Sequence, residues 1–216
     1  LKYYPVFLDI AGRTCVVIGG GEVACRKVHR LLECGARVTV VSVELCPDLA
    51  ALKTQGTLTH IADRYAPEHL HGAFLVVGAT DSGEVNTRIF HDARTQRILV
   101  NIVDEPERCD FILPSLVERG DLTIAVSTGG QSPALAKQLR RELEAIFGEE
   151  YETYLRIMGD VRAIVLARGS PSEENRRIFE SLVQSDLLSR IRHQDWVGVR
   201  RLVHEIVAEP VTLRLP

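Results

Sequence analysis

Thr14-Cys15-Val16-Val17-Ile18-Gly19-Gly20-Gly21-Glu22-Val23-Ala24 decides how the rest of the chain is read. An apolar run rich in β-branched residues ends in three glycines. It passes at once into a segment of helical period, with Val23, Ala24, Val28, Leu31 and Leu32 on one side and Arg26, Lys27 and Arg30 between them. Gly19-x-Gly21-x-x-Ala24 fits the dinucleotide pattern. One glycine lets the strand turn sharply, a second leaves room for a pyrophosphate beside the backbone, and a third small residue lets helix and strand pack closely. The helix start then offers unpaired N–H groups and a positive dipole end to the phosphates. Gly19, Gly20, Gly21, Glu22 and Val23 are the expected contacts. A glycine turn that binds nothing fits the same letters, so the flanking segments must decide.

Outward from this stretch, Gly35 is placed to end the first helix and Arg37-Val38-Thr39-Val40-Val41 reads as the second strand, completing a β-turn-α-β unit. An acid that holds the adenosine ribose is expected about twenty residues past the glycines. Ser42, Val43 and Glu44 occupy that place. Glu44 sits a little late and could equally begin the next helix, whereas Ser42 is nearer the strand end. No arginine stands there to clamp a 2′-phosphate, which favours NAD over NADP. A short helix is expected over 47–53, strands over 58–61, 74–79 and 98–103, and a helix over 84–96, capped by Asp81 or Ser82. Loops at the carboxyl ends of such strands face the ligand, which puts Thr80 and Asp81 near the nicotinamide half. The last strand ends in Asp104-Glu105-Pro106, where Asp104 could act as a general acid/base or merely close a turn.

The pattern changes after Leu113. Residues 114–126 read as a hairpin around Gly120-Asp121. Ser127-Thr128-Gly129-Gly130-Gln131-Ser132 then leads into a helix over 133–147, with Ser132 as N-cap and Pro133 at its first position. Lys137, Arg140 and Arg141 share one face of that helix, a surface for a polyanion or a solvated face offset by Glu142 and Glu144. From Glu149 on the chain reads as amphipathic helix, broken near Gly169-Ser170-Pro171 and Gln184-Ser185-Asp186. The expected organisation is an α/β Rossmann-type doubly wound sheet (1–113), a small α+β module (114–148) and a helical C-terminal region (149–216).

Bulk properties narrow the class. The 216 residues suffice for one α/β domain and an appendage. A net charge of -3 gives no footprint for non-specific nucleic-acid binding. No apolar run reaches the roughly 20 residues that span a bilayer, and residues 1–12 do not read as a signal peptide, so a cytoplasmic location is expected. Five cysteines, an odd number without a C-x-x-C, suggest small buried apolar residues rather than disulfides or zinc. His204-Glu205 begins like a zinc-protease motif, but Ala208 stands where the second histidine belongs. No Tyr-x-x-x-Lys pair or zinc-ligand set points to the common alcohol dehydrogenases.

Val17-Ile18-Gly19-Gly20-Gly21-Glu22-Val23-Ala24-Cys25-Arg26-Lys27 resembles the opening motif of the precorrin-2 dehydrogenase module of the siroheme synthase family. Ala79-Thr80-Asp81, Asn86, Asn101-Ile102-Val103-Asp104, Phe111-Ile112-Leu113-Pro114-Ser115, Ala125-Val126-Ser127-Thr128-Gly129-Gly130 and Ser132-Pro133-Ala134-Leu135-Ala136 follow in the family's order, and the resemblance covers residues 5 to about 150. It implies NAD-dependent oxidation of precorrin-2 to sirohydrochlorin, with Asp104 as the catalytic aspartate that handles a proton. In some members the same site inserts metal, so a ferrous or cobaltous ion would be a further substrate. The carboxylate-rimmed tetrapyrrole gives Asn101, Ser127, Thr128, Gly129, Gly130, Ser132, Lys137, Arg140 and Arg141 a partner. The family also implies a homodimer. Thr128 stands where many relatives have serine, which keeps the hydroxyl. With no methyltransferase domain of the kind fused in the largest members, methylation is expected from another protein. A non-catalytic NAD-sensing module is the competing expectation.

Overall fold

The computed structural model describes residues 2–169, 171–209 and 211–215. The chain divides into two compact units, Leu1–Leu113 and Pro114–Pro216. In the first, β1 (Thr14–Ile18), β2 (Arg37–Val41), β3 (Thr59–Ile61), β4 (Leu75–Gly78) and β5 (Leu99–Ile102) form one parallel sheet of order β3-β2-β1-β4-β5. Alternate residues of a strand point to opposite faces, and both faces are covered, so the central strands bury apolar residues on both: Cys15, Val16, Val17 and Ile18 of β1 and Leu75, Val76 and Val77 of β4. On one face Cys15 and Val17 pack with Ala24, Cys25 and Val28 of α1 (Glu22–Glu33) and Leu49 of α2 (Pro47–Thr54). On the other, Val16 and Ile18 pack with Ile89 and Ala93 of α3 (Gly83–Gln96). Each such buried aliphatic side chain stabilises the unit by about 1.5–3 kcal/mol. This is the doubly wound arrangement expected from the sequence.

Local chemistry sets the element ends. Gly35 has φ +73, and its N–H bonds to the carbonyl of Leu32 while that of Ala36 bonds to Leu31, a Schellman end to α1. Ser82, rather than Asp81, caps α3 by accepting from the Val85 N–H at 3.3 Å. The cysteines divide. Cys15 and Cys25 are buried, and burial pushes both thiols up to about 11, but Cys34 is exposed at the end of α1 and Cys46 and Cys109 are half-buried.

In the second unit β6 (Ser115–Arg119) and β7 (Leu122–Val126) pair antiparallel around Gly120, whose φ of +56 stands where a type II′ turn places glycine. Next comes α4 (Pro133–Ile146), capped by the Ser132 hydroxyl on the Leu135 N–H at 3.2 Å. Then α5 (Glu150–Ala167), α6 (Ser172–Gln184), α7 (Leu187–Arg192) and α8 (Trp196–Val207) enclose a core of Ile157, Val161, Val165, Leu182, Leu187, Ile191, Val199 and Val203. Of the expected break at 169–171, Ser170 lies outside the described residues. A further break at 193–195, not anticipated, holds no glycine or proline. Gln194 takes φ +56 there, and Asp195 caps α8 on the Gly198 N–H at 2.9 Å. Among the described residues no helix is long and apolar enough to cross a membrane.

Two ion pairs brace the helices of this unit. Asp160 accepts from the Arg214 amide at 3.0 Å and its Nε at 2.7 Å, and Glu150 accepts from Arg192 Nε at 2.7 Å. Burial pulls both carboxyls up, but the hydrogen bonds and charge of the arginines outweigh it and hold both below the usual range. Depressed folded-state values mean that this stabilisation is complete above the unfolded values of about 4 and is lost as pH falls through the folded ones. An Asp160→Asn, Glu150→Gln double variant should therefore be less stable than the parent to urea at pH 7. At about pH 3 the difference should shrink toward zero; a gap that persists in acid would contradict it.

Candidate active site

The three glycines do different work. Gly19 has φ +124, and a Cβ there would lie 2.2 Å from the Ala79 carbonyl oxygen. At Gly20 it would lie 1.9 Å from the Glu44 carbonyl oxygen, and Gly20 in turn accepts from the Cys46 N–H at 2.7 Å. Backbone packing therefore requires glycine at both positions. At Gly21 nothing lies within 4 Å of an added Cβ. Gly21 is the N-cap of α1 and supplies no side-chain acceptor, so the first turn at Glu22 and Val23 starts uncapped beside open space. The chain's own packing does not call for glycine here, whereas an anion on the helix start would. The residues present fit a dinucleotide pyrophosphate.

At the end of β2, Val43 and Glu44 are exposed. Glu44 does not begin α2, which starts at Pro47 with Asp48 as its first-turn acid, so that alternative is corrected. Ser42 is tied to His60. The ring Nε2 lies 3.0 Å from the Ser42 carbonyl oxygen and 3.3 Å from its hydroxyl, and Lys53 Nζ lies 3.3 Å from Nδ1. An ammonium can only donate, so Nδ1 accepts and Nε2 carries the proton toward Ser42.

Past β4, the Thr80 hydroxyl donates to Asn86 Oδ1 at 2.8 Å and Asn86 Nδ2 donates to the Thr80 carbonyl at 3.1 Å; Asp81 is exposed. Past β5, Asp104 is exposed with φ +61, a left-handed conformation that aspartate tolerates better than most residues. Cys109 Sγ lies 3.2 Å from the carbonyls of Ile102 and Glu105, closing the turn around Asp104, and burial pushes its thiol up. Asn101 is buried, and its amide donates to the Phe111 carbonyl at 2.9 Å and to Cys109 Sγ at 3.4 Å. Its donor hydrogens thus serve the fold rather than standing free. On α1, burial and Arg26 lower the Lys27 ammonium while the charge of Asp104 opposes them, so Lys27 lies within the field of Asp104.

The second unit carries the other expected residues. Gly129 and Gly130 have φ +63 and +85. The Ser127 hydroxyl accepts from the Gly129 N–H, and that of Thr128 from the Ser132 N–H, each at 3.1 Å. A serine hydroxyl at 128 would accept the same bond. On α4, Lys137 and Arg141 are exposed, but Arg140 is half-buried and paired with Glu144, so of the two readings of this face the offset by an acid holds for Arg140 and two cations remain exposed. Sequence reasoning missed Lys27, His60, Glu105 and Arg108 as parts of the site. Of these only Lys27 carried a signal, lying one turn inside the glycine-started helix.

Residues 6–115 match the family model of putative NAD(P)-binding proteins, and residues 119–146 that of the central part of sirohaem biosynthesis proteins. The chain is 40% identical, over 97% of its length and 45% of that protein's, to siroheme synthase 1 of Aeromonas salmonicida (strain A449). It is 38% identical to siroheme synthase of Methylobacillus flagellatus (strain ATCC 51484 / DSM 6875 / VKM B-1610 / KT), over 96% of this chain and 44% of that protein. The chain belongs to the siroheme synthase family. It spans less than half the length of these curated relatives. The structure of the precorrin-2 dehydrogenase SirC aligns with a TM-score of 0.80 and 25% identity, covering 96% of this chain and 100% of that one. The two family matches meet close to Leu113–Pro114, where the two compact units also meet in sequence.

The contrast between the glycines is testable. Gly19→Ala should destabilise the chain by more than about 2 kcal/mol in urea unfolding, through the positive φ and the clash with Ala79. Gly21→Ala should cost about 1 kcal/mol or less of stability but weaken dinucleotide binding by at least about tenfold in calorimetric titration. Equal effects of the two variants on stability would contradict the separation of roles.

Proposed function

We propose that this siroheme synthase family chain oxidises precorrin-2 to sirohydrochlorin with NAD as oxidant. The observation that carries the reading is one edge of the parallel sheet. It bears an uncapped helix start with open space at Gly21 and, past β5, the exposed carboxylate of Asp104. The likeness to siroheme synthases and to a precorrin-2 dehydrogenase supplies the substrate class.

In this reading the N–H groups from Gly20 to Val23 hold the pyrophosphate, and Gly19, whose own N–H is bonded to the Val41 carbonyl, brings the bare backbone beside it. Ser42, Val43 and Glu44 receive the adenosine ribose, and Thr80 and Asp81 flank the nicotinamide half. Bound NAD supplies the hydride acceptor. Asp104 takes the proton that the macrocycle loses, so that two hydrogens leave precorrin-2 as one hydride and one proton. The Ser127–Ser132 loop with its two left-handed glycines, Lys137, Arg140 and Arg141 meet the acetate and propionate carboxylates, while Asn101, its donors taken by Phe111 and Cys109, shapes the turn of Asp104. Lys137 and Arg141 contribute free charge to this contact, and Arg140 shares its own with Glu144. A homodimer, a functional boundary near residue 148 between the hairpin module and the last four helices, and cytoplasmic residence belong to the same reading. Insertion of a ferrous or cobaltous ion into sirohydrochlorin is its extension, with the metal as substrate. A rate above the protein-free blank on mixing sirohydrochlorin and either ion would support it.

Purified protein mixed with precorrin-2 and NAD should yield NADH and the absorption spectrum of sirohydrochlorin. Asp104→Ala should lower turnover by about 100-fold or more while NAD still binds with parental affinity. Full activity of that variant would remove Asp104 from its role. Tight NAD binding by the parent without turnover of any tetrapyrrole would point instead to a non-catalytic NAD sensor.

A further inference from the structure

Asp104 stands in a conformation that the rest of its turn must hold. Its φ of +61 is tolerated by aspartate better than by most residues but still costs backbone energy that the surrounding turn must offset. One side of the turn is closed by the Cys109 thiol and the Asn101 amide. The other side is tied to α3 by two consecutive residues. Arg108 Nη1 donates to the Thr87 hydroxyl at 2.7 Å and pairs at 2.7 Å with Glu105 Oε2. The other carboxylate oxygen of Glu105 accepts from Asn86 Nδ2 at 3.5 Å, at the long end of a hydrogen bond. Glu105 directly follows Asp104, and Arg108 ends the short 3-10 turn Pro106–Arg108.

Asn86 is only 6% exposed. A buried amide is costly unless its donors and acceptor are all matched. Here Oδ1 takes the Thr80 hydroxyl, and Nδ2 is divided between the Thr80 carbonyl and Glu105. Thr80 belongs to the loop after β4 and Glu105 to the turn after β5. One buried side chain thus grips both loops at neighbouring strand ends. A purely apolar residue would pack α3 against β4 as well but would join neither loop.

We infer that Asn86 is a positioning residue that couples the loop of Thr80 to the turn carrying Asp104, so that NAD seated beside Thr80 meets a correctly aimed carboxylate. The inference rests on the oxidation proposed above. It predicts that the two loops order together even when no turnover occurs.

Asn86→Asp preserves size and acceptor but removes both donated bonds and sets a carboxylate against Glu105. In this variant kcat with precorrin-2 should fall about 10- to 100-fold, as expected when a reacting group is displaced by an ångström or so. The NAD dissociation constant should stay within about threefold of the parent. Adding Glu105→Gln restores a donor opposite the new carboxylate and should recover much of the loss. In an Asp104→Ala background the Asn86→Asp change should cost nothing further, the signature of one residue acting through the other. Independently of turnover, NAD should slow amide hydrogen exchange across residues 103–109 in the parent and not in Asn86→Asp. A parental kcat in that variant, an additive loss in the Asp104→Ala background, or equal NAD protection in parent and variant would overturn the inference. Failure of the parent to oxidise precorrin-2 would overturn the proposed function instead, and the exchange experiment would still decide the coupling.

Discussion

The close approach of Gly19 to the carbonyl of Ala79 is the constraint on which the first unit depends. An added Cβ would lie 2.2 Å from that oxygen, so the chain leaving β1 and the chain leaving β4 run together as bare backbone. The contact is fastened by the Gly19 N–H on the Val41 carbonyl at 2.9 Å and the Ala79 N–H on the Ile18 carbonyl at 2.8 Å. In the order β3-β2-β1-β4-β5, β1 and β4 are the neighbours at which the chain changes direction across the sheet. Connections diverge there, α1 to one face and α3 to the other, and a crevice opens at the carboxyl ends of the strands. The start of α1, Thr80 and the turn of Asp104 then fall along one edge without any further device.

Polar groups along that edge hold the loops in place rather than stand free. The Ser42 carbonyl and hydroxyl meet His60, the Thr80 hydroxyl meets Asn86, and the Asn101 amide holds Phe111 and Cys109. Asp104 differs: it is exposed, and its left-handed backbone costs on the order of 1–3 kcal/mol that the braced turn around it must offset. Among the described non-glycine residues with positive φ, Asp104 is the one at the carboxyl ends of the strands, which fits a group held for chemistry.

Much of this was legible in the sequence wherever a single residue type answers a local demand. Gly19 and Gly20 after β1, Gly35 at the end of α1, and Ser132-Pro133 at the start of α4 each announce the backbone they serve. Other features depend on partners distant in sequence. Glu105 and Arg108 meet Asn86 and Thr87 only because β4 and β5 are adjacent, which composition and periodicity do not specify. For the face of Lys137, Arg140 and Arg141, spacing alone left open whether the charges stand free or are offset by Glu142 and Glu144, and the pairing of Arg140 with Glu144 one turn on is a rotamer choice that composition does not specify. The break at 193–195 escaped notice because Gln194, not glycine, takes the left-handed position and the only mark of a new helix is the capping Asp195.

The most direct test of the account is the fate of the hydrogen removed from the substrate. With precorrin-2 carrying deuterium at the carbon that loses hydride, the purified chain should place the label on the nicotinamide ring of the NADH formed. One labelled NADH should appear per sirohydrochlorin. Sirohydrochlorin that accumulates without labelled NADH would contradict the account, because the oxidation would then not pass through the dinucleotide held at Gly19–Val23.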